Sequence, residues 1–394
     1  MTKNKFHHVV ILLTLFVNCF VLNVAFSQPF VPAADDEVVE VLPVYQIFRG
    51  TKKVIKQEAP NPKSVTESLE VAFQYIEIAR KYNEPRYYGL AESVISPWWG
   101  DESDLDVQLI KAIILQFNHQ FIEAKQVLDK VLVKKPSYQQ AILSRSSINL
   151  VLGKYNEVES DCKKIDVIQQ SLISLACFAQ ISIVQNDKYK MKTLSKKIDS
   201  ILFLQNNYND EEKQWVLHIL SDLKYFDNDK KSSREALKNA LEIDEYSLDS
   251  RLKFADYFLY QGEFQMAFDL LSDFQNHVSA LIRLVYASSH FSSKIHNQLL
   301  VKLNLQVDEL KRRDIKMHLR EFAFISLYID KDYELGLKYA SENWLLQKEI
   351  VDVALYWYAI EKNNSQYHRA KLNDWKSKEN FNVDLQVAMY YESP

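Results

Sequence analysis

The sequence predicts an all-α fold, a solenoid of stacked antiparallel helix pairs, on three observations. Glycine is scarce, six in 394 residues, whereas hairpins, barrels and phosphate loops consume it. In the stretch FNHQFIEAKQVLDKVLVKKP, Phe121, Ala124, Leu128, Val131 and Leu132 fall on one helical face and Pro136 closes the helix. That ladder recurs along the chain at a period of about 34 residues. Composition agrees with a globular chain, at 47% hydrophobic and 25% charged. The formal net charge of −4 leaves no basic excess for a phosphate backbone, so nucleic acid is not an expected partner.

The chain opens with an export signature. Lys3 and Lys5 precede an apolar run from Val9 to Val24, interrupted by Asn18, Cys19 and Asn23, and Ala25-Phe26-Ser27 supplies a cleavage site. The run is shorter than the roughly 20 apolar residues of a spanning helix, so residues 1–27 read as a signal peptide, with an uncleaved anchor as the alternative. Cys19 lacks the small preceding residue of a lipoprotein site. The mature chain then begins at Gln28, outside the cytoplasm and most simply in a periplasm, with no membrane span left after cleavage.

Residues 28–66 form an extended arm. Five of the nine prolines lie here, Pro29, Pro32, Pro43, Pro60 and Pro62, and proline denies a helix its hydrogen bonds. The apolar EVVEVLPVYQIF within it suits docking on the main body, and a disordered linker fits the composition equally.

From residue 67 the helical repeat takes over and runs to 375, leaving a C-terminal tail at 376–394. Steps of 34 lead from His119 and Phe121 to Gly153 and Tyr155, then to Asp187 and Tyr189. Gly262 and Phe264 begin the ladder again with Ala267, Leu271 and Phe274, and Tyr333, Gly336 and Ala340 repeat it. The interval from Asp187 to Asn228 is longer, which places an insertion in LQNNYNDEEK. Ala112, Ser146, Ala179 and Ala255 supply small crossings on first helices, and Ala124 and Ala267 on second ones, where helices approach within about 8–10 Å. One pair cannot bury its own apolar face, so neighbours stack.

With these residues in place, the chain resembles the tetratricopeptide-repeat family. Residues 105–138 carry its pattern at Ala112, Phe121, Ala124, Leu128, Val131, Leu132 and Pro136; residues 139–172 and 248–281 match it nearly as well. Units at 172–205, 214–247, 282–316 and 317–350 are degenerate. Residues 67–99 are similar to the opening hairpin of an exported bacterial subgroup, at Pro85, Arg86, Tyr87, Ala91, Pro97, Trp98 and Trp99. The resemblance implies a right-handed superhelix, of about nine pairs by the repeat arithmetic, whose first helices line a concave groove.

Catalytic signatures are missing. There is no zinc-protease histidine pair, no nucleophile elbow and no phosphate loop. His290 and His296 stand six apart, on opposite helix faces, and read as capping or solvent-facing groups, not metal ligands. Lys311-Arg312-Arg313 reads as a solvated helix end. Trp98-Trp99 reads as packing of the first hairpin before stacking on a ligand. No enzyme activity, cofactor or metal is expected.

Cys162 and Cys177 are the cysteines left after signal cleavage, each seven residues from the turn near Gln169 and Gln170. Equal distance from the turn puts them at one height on antiparallel helices, and an oxidising compartment favours a bond. Two buried free thiols are the alternative.

The groove stripe implied by the resemblance lies beside the small-residue stripe. It selects Ile113, Gln116 and Phe117, then Gln180 and Ile183, then Asp256, Leu259 and Tyr260, then Tyr328. Amides, aromatics and a carboxylate suit an extended peptide or a partner helix, and packing between helices is the competing reading at each position. The function expected is a noncatalytic scaffold or adaptor of the bacterial envelope, binding another envelope protein or peptide. The alternative is a peptidoglycan- or glycan-associated factor that regulates or carries an enzyme activity, for which a catalytic carboxylate beside clustered aromatics would be diagnostic.

Overall fold

A computed structural model of the chain describes residues 62–82, 84–168, 171–204, 208–312 and 318–389. Residues 1–27, read above as a signal peptide, and nearly all of the proline-rich arm expected at 28–66 lie outside the described residues, as does the turn expected at Gln169 and Gln170.

The described residues form eighteen α-helices in nine consecutive pairs, with no strand among them. The pairs are α1 (Val65–Tyr82) with α2 (Arg86–Ile95), α3 (Leu105–Phe117) with α4 (Phe121–Lys134), and α5 (Gln139–Val151) with α6 (Tyr155–Ile168). Next come α7 (Leu172–Val184) with α8 (Lys188–Leu204), α9 (Asp210–Phe226) with α10 (Lys230–Ile243), and α11 (Leu248–Tyr260) with α12 (Phe264–Leu271). The last three are α13 (Val278–Ser288) with α14 (Ser293–Arg312), α15 (Leu319–Phe324) with α16 (Tyr333–Leu346), and α17 (Ile350–Asn363) with α18 (Gln366–Lys378). A π-helical turn, Ile325–Ile329, continues α15 and is closed by Asp330 N–H on the Ile325 carbonyl at 2.9 Å. None of these helices is long and apolar enough to cross a membrane.

One backbone device makes the bend in seven of the nine pairs. His119, Gly153, Asn186, Asn228, Gly262, Lys331 and Asn364 have φ between 49° and 73°, the left-handed conformation that turns a chain out of a helix. In six of them the next residue bends back onto the ending helix. Gln120 N–H reaches Leu115 O at 2.9 Å, Lys154 N–H reaches Asn149 O at 2.8 Å, and Glu263 N–H reaches Phe258 O at 2.9 Å. Glycine or asparagine supplies this φ at little cost, so the bend residue varies while the geometry persists. Asp104, Ser171, Asn209 and Ser247 then cap the first helices of the following pairs through backbone N–H groups.

The crossings are tight where the small residues sit. Ala112, Ala124, Ser146, Ala179, Ala255 and Ala267 are all buried, with Leu128 and Val131 beside them. At Gly336 a Cβ would stand 2.5 Å from the Leu327 side chain. The extra residues between Asp187 and Asn228 lengthen α8 and α9 to 17 residues each.

One register differs from the sequence reading. The bend of the fourth pair is Asn186, 33 positions after Gly153, so Tyr189 overshoots the packing position held by Phe121 and Tyr155. Tyr189 is 81% exposed, while Phe121 and Tyr155 are buried. Phe264 is half-buried, its ring stacked on His290 at 3.6 Å. His290 and His296 both lie against carbonyls at the end of α13, Tyr286 O and Val285 O, at 3.0 and 3.1 Å.

The solenoid returns on itself six pairs later. Lys348 N–H, in the loop before α17, donates to Val151 O at the end of α5. Tyr155 OH donates to Lys348 O at 2.8 Å, and its ring lies 5.9 Å from Trp375 of α18. Gly153 sits in this junction: a Cβ there would come within 2.9 Å of Trp375 and Lys348. His119, at the bend of the second pair, lies within electrostatic reach of Arg320 in the eighth. Burial lowers the His119 pKa, and the neighbouring Arg320 guanidinium lowers it further.

Candidate functional site

The inner face is built from first helices, and the C-terminal segment lies on it. Asn380, at φ 54°, ends α18, and Phe381 N–H closes onto Lys376 O at 2.9 Å. The Phe381 ring packs on Trp375 at 5.2 Å and on Tyr155 at 5.9 Å. Beyond it Val383, Leu385 and Ala388 are buried, while Asn382, Asp384 and Gln386 are exposed. Asn382 N–H donates to Val184 O at the end of α7, 2.8 Å away, and Tyr225 OH of α9 donates to Val387 O at 3.2 Å. The segment thus crosses the C-terminal ends of α7 and α9 and arrives at the first helices of the sixth to ninth pairs.

There a cavity of about 220 Å³ opens beside Ala388. Leu252 and Tyr260 of α11, Ile282 and Arg283 of α13, Arg320 and Phe324 of α15, Tyr328, and Val351, Ala354 and Leu355 of α17 line it. Four first helices therefore converge on one concavity. The wide π turn carries Tyr328, whose ring stacks on Tyr358 at 5.0 Å.

Both arginines of the cavity wall are held by carboxylates of a neighbouring first helix. Arg283 grips Asp256 with Nε–Oδ1 at 2.6 Å and Nη2–Oδ2 at 2.7 Å. Arg320 holds Asp352 with two bonds of 2.7 Å and reaches Glu349 Oε2 at 2.5 Å. Asp352 is buried and also receives Asn343 Nδ2 at 2.8 Å and Glu349 N–H at 3.0 Å. Burial opposes the Arg320 charge, yet Asp352 and Glu349 hold its pKa above the ordinary value. These forks lock neighbouring first helices in register and put directional groups in the wall.

The tyrosines beside the segment are equally fixed. Tyr225 and Tyr260 have ring centroids 5.8 Å apart, and Gln261 Nε2 donates to Tyr225 OH at 3.1 Å. Burial pushes the Tyr225 phenol up to about 12 and Tyr260 well above its usual value. Both stay protonated, so Tyr225 remains a donor to the segment's carbonyl.

The sequence-selected stripe is distributed over this face. Ile113, Ile183, Leu259 and Tyr328 are buried; Gln116, Phe117, Gln180, Asp256 and Tyr260 are half-buried. Phe117 stacks on Tyr88 at 4.0 Å, Gln116 Nε2 lies 3.5 Å from Ser147 Oγ, and Asp256 is the partner of Arg283. Tyr260 and Tyr328 come together in the cavity wall; Ile113, Gln116 and Phe117 lie in the second pair, away from it. Ile113, Ile183 and Leu259 serve packing, because a first helix touches its own second helix and both neighbouring pairs. Arg283, Arg320, Phe324 and Ala388 were not selected. For the segment a signal existed, the alternation in NVDLQVAM.

Cys162 and Cys177 are joined by a disulfide, with Cα atoms 5.6 Å apart, between α6 and α7. No group of three or more metal-ligating side chains occurs among the described residues.

Neither a protein-family model nor a curated protein sequence matches the chain. Solved structures do. A Pseudomonas aeruginosa pilF structure is similar at 13% identity over 54% of this chain and 93% of that one, with a TM-score of 0.38. The TPR domain of P58(IPK) is similar at 15% identity over 82% and 95%, with a TM-score of 0.24. Yeast Tom70 is similar at 13% identity over 79% and 84%, with a TM-score of 0.26. At such identities and scores the likeness says nothing of what this chain binds. The 34-residue helix-pair period, the left-handed bends and the small-residue crossings are the chain's own, and they make it an all-α helical-repeat solenoid.

Proposed function

We propose that the chain is a noncatalytic interaction scaffold, exported to the bacterial cell envelope, whose inner face binds an extended segment of another envelope protein. One observation carries this reading. The inner face already holds a non-helical stretch, Asn382–Met389, which closes in a turn over Leu385–Ala388 and is kept there by hydrogen bonds to its main chain and by burial of Val383, Leu385 and Ala388, much as a short peptide is held in a groove. The export signature at residues 1–27 supports the location.

Site-specific photo-cross-linking in intact cells tests it. A photoreactive residue is placed at Gln116 or Gln180 on first helices, or at the exposed Val133 or Val301 on second helices. Discrete adducts at the first-helix positions, from protein recovered outside the cytoplasm, are expected. Adducts confined to Val133 and Val301, or protein retained in the cytoplasm, would overturn the reading.

A further inference from the structure

We infer that Asn382–Met389 is an internal ligand, and that the partner it stands in for is a peptide that closes in the same turn and carries a larger apolar side chain where this chain has Ala388. The inference rests on the interaction function proposed above and names the chemistry of its partner.

Three features separate this segment from an ordinary helix tail. First, α18 is already closed, by Asn380 and by Phe381 N–H on Lys376 O, before the segment begins. The segment itself is not needed to end the helix. Second, the segment alternates, with Val383 and Leu385 turned inward and Asn382, Asp384 and Gln386 outward. Alternate side chains enter the face up to Gln386, and a turn, with Val387 N–H on Asp384 O at 3.3 Å and Ala388 N–H on Leu385 O at 3.2 Å, then brings Ala388 to the cavity. Third, its polar ties to the solenoid run through its main chain, at Asn382 N–H and Val387 O. Any peptide that takes this shape carries those groups, so they do not distinguish this segment from a competitor.

The fit at the far end is incomplete. Ala388 lines a cavity of about 220 Å³ with Tyr260, Ile282, Phe324, Tyr328 and Leu355. A methyl group leaves most of that space unfilled, and the wall is mixed, with Arg283, Arg320 and Glu321 beside the apolar side chains. A peptide with leucine in place of Ala388 would keep the main-chain ties and add apolar contact in the cavity. It would therefore compete with the internal segment for this face.

Calorimetric titration of the full chain tests this, with two synthetic peptides spanning residues 380–389, one native and one carrying Ala388→Leu. The hosts are the wild-type chain and a full-length Val383→Asp/Leu385→Asp variant. The variant should bind both peptides at least tenfold more tightly than the wild type, because its own segment no longer competes. The leucine peptide should bind at least tenfold more tightly than the native one. A variant that melts like the wild type yet binds neither peptide better, or a leucine peptide no tighter than the native, overturns the inference. Should the variant fail to fold, hydrogen exchange of residues 382–389 in the wild-type chain decides. Faster exchange under saturating isotopically heavy leucine peptide supports displacement, and unchanged exchange at millimolar peptide overturns it. A chain that yields its segment in vitro but gives no first-helix cross-links in cells keeps this inference and loses the envelope function. Cross-links with an immovable segment do the reverse.

Discussion

The phenol of Tyr155 donates to the main-chain carbonyl of Lys348 at 2.8 Å, across 193 residues of sequence. This bond joins the third helix pair to the loop entering the ninth, and Trp375 and Phe381 pack on the same ring. Tyr155→Phe keeps the ring and removes the donor, leaving the carbonyl without its partner. Thermal or urea unfolding should show a loss of about 1–3 kcal/mol. Tyr189→Phe, at an 81% exposed position, should change stability by less than about 0.5 kcal/mol.

Two glycines should answer the same substitution with opposite signs. Gly89 is exposed inside α2, and a Cβ there meets nothing within 4 Å. Gly89→Ala should stabilise the chain by about 0.5–1 kcal/mol. Gly153 has φ +68°, and a Cβ there would stand 2.8 Å from Trp375. Gly153→Ala should destabilise by more than about 1 kcal/mol, since it both strains the bend and wedges the junction apart. Denaturant midpoints of both variants check the pair.

Removing either of two arginines should have unequal effects. Arg320 is paired with a buried Asp352, and Arg320→Met would leave that carboxylate without its countercharge. A loss of about 3–5 kcal/mol is expected. Arg369 pairs with Glu361, whose side chain is 42% exposed. Arg369→Met should cost no more than about 1 kcal/mol. Equal losses in the two melting curves would contradict the packing role given to the Arg320 fork.

Acid should weaken the chain partly through one histidine. Burial pushes His218 down to about 3, with its ring nitrogen on Ser250 Oγ at 2.8 Å. The folded state holds this imidazole neutral, whereas the unfolded chain takes up a proton near pH 6.5. Stability from this group is thus fully present above about pH 6.5 and declines as the pH falls toward 3. His218→Gln should remove a slope on the order of 1 kcal/mol per pH unit between pH 6 and 4. Unfolding measured across that range in both chains reads the difference.

The repeat was legible because its determinants are local. A small residue at a crossing, an aromatic after the bend and a terminating proline need only the neighbouring turn, and Ala112, Phe121, Ala124 and Pro136 show all three. The bend was legible as a position more than as a residue, since His119 and Lys331 perform it without being glycine. The junction of Tyr155 with Lys348 and Trp375 was not legible. It depends on a small rotation accumulated over six pairs, which no single repeat encodes. The inner stripe failed in part for a related reason. The offset from Ala255 finds Leu259 and Tyr260 alike, but only the three-dimensional stack decides that Leu259 is core and Tyr260 lines the cavity.

The junction between the third and ninth pairs also alters how the array should come apart. In an open array each unit touches only its neighbours, so terminal units fray first and stability accumulates roughly unit by unit. Here the last pair is fastened to the third by Tyr155, Lys348 and Trp375, so peeling the C-terminal end would uncover the middle of the chain. Fraying at one end and opening at the centre become a single event. Contacts this distant in sequence also form late in folding, after long loops have closed. A linear array has in effect been made cooperative by closing it.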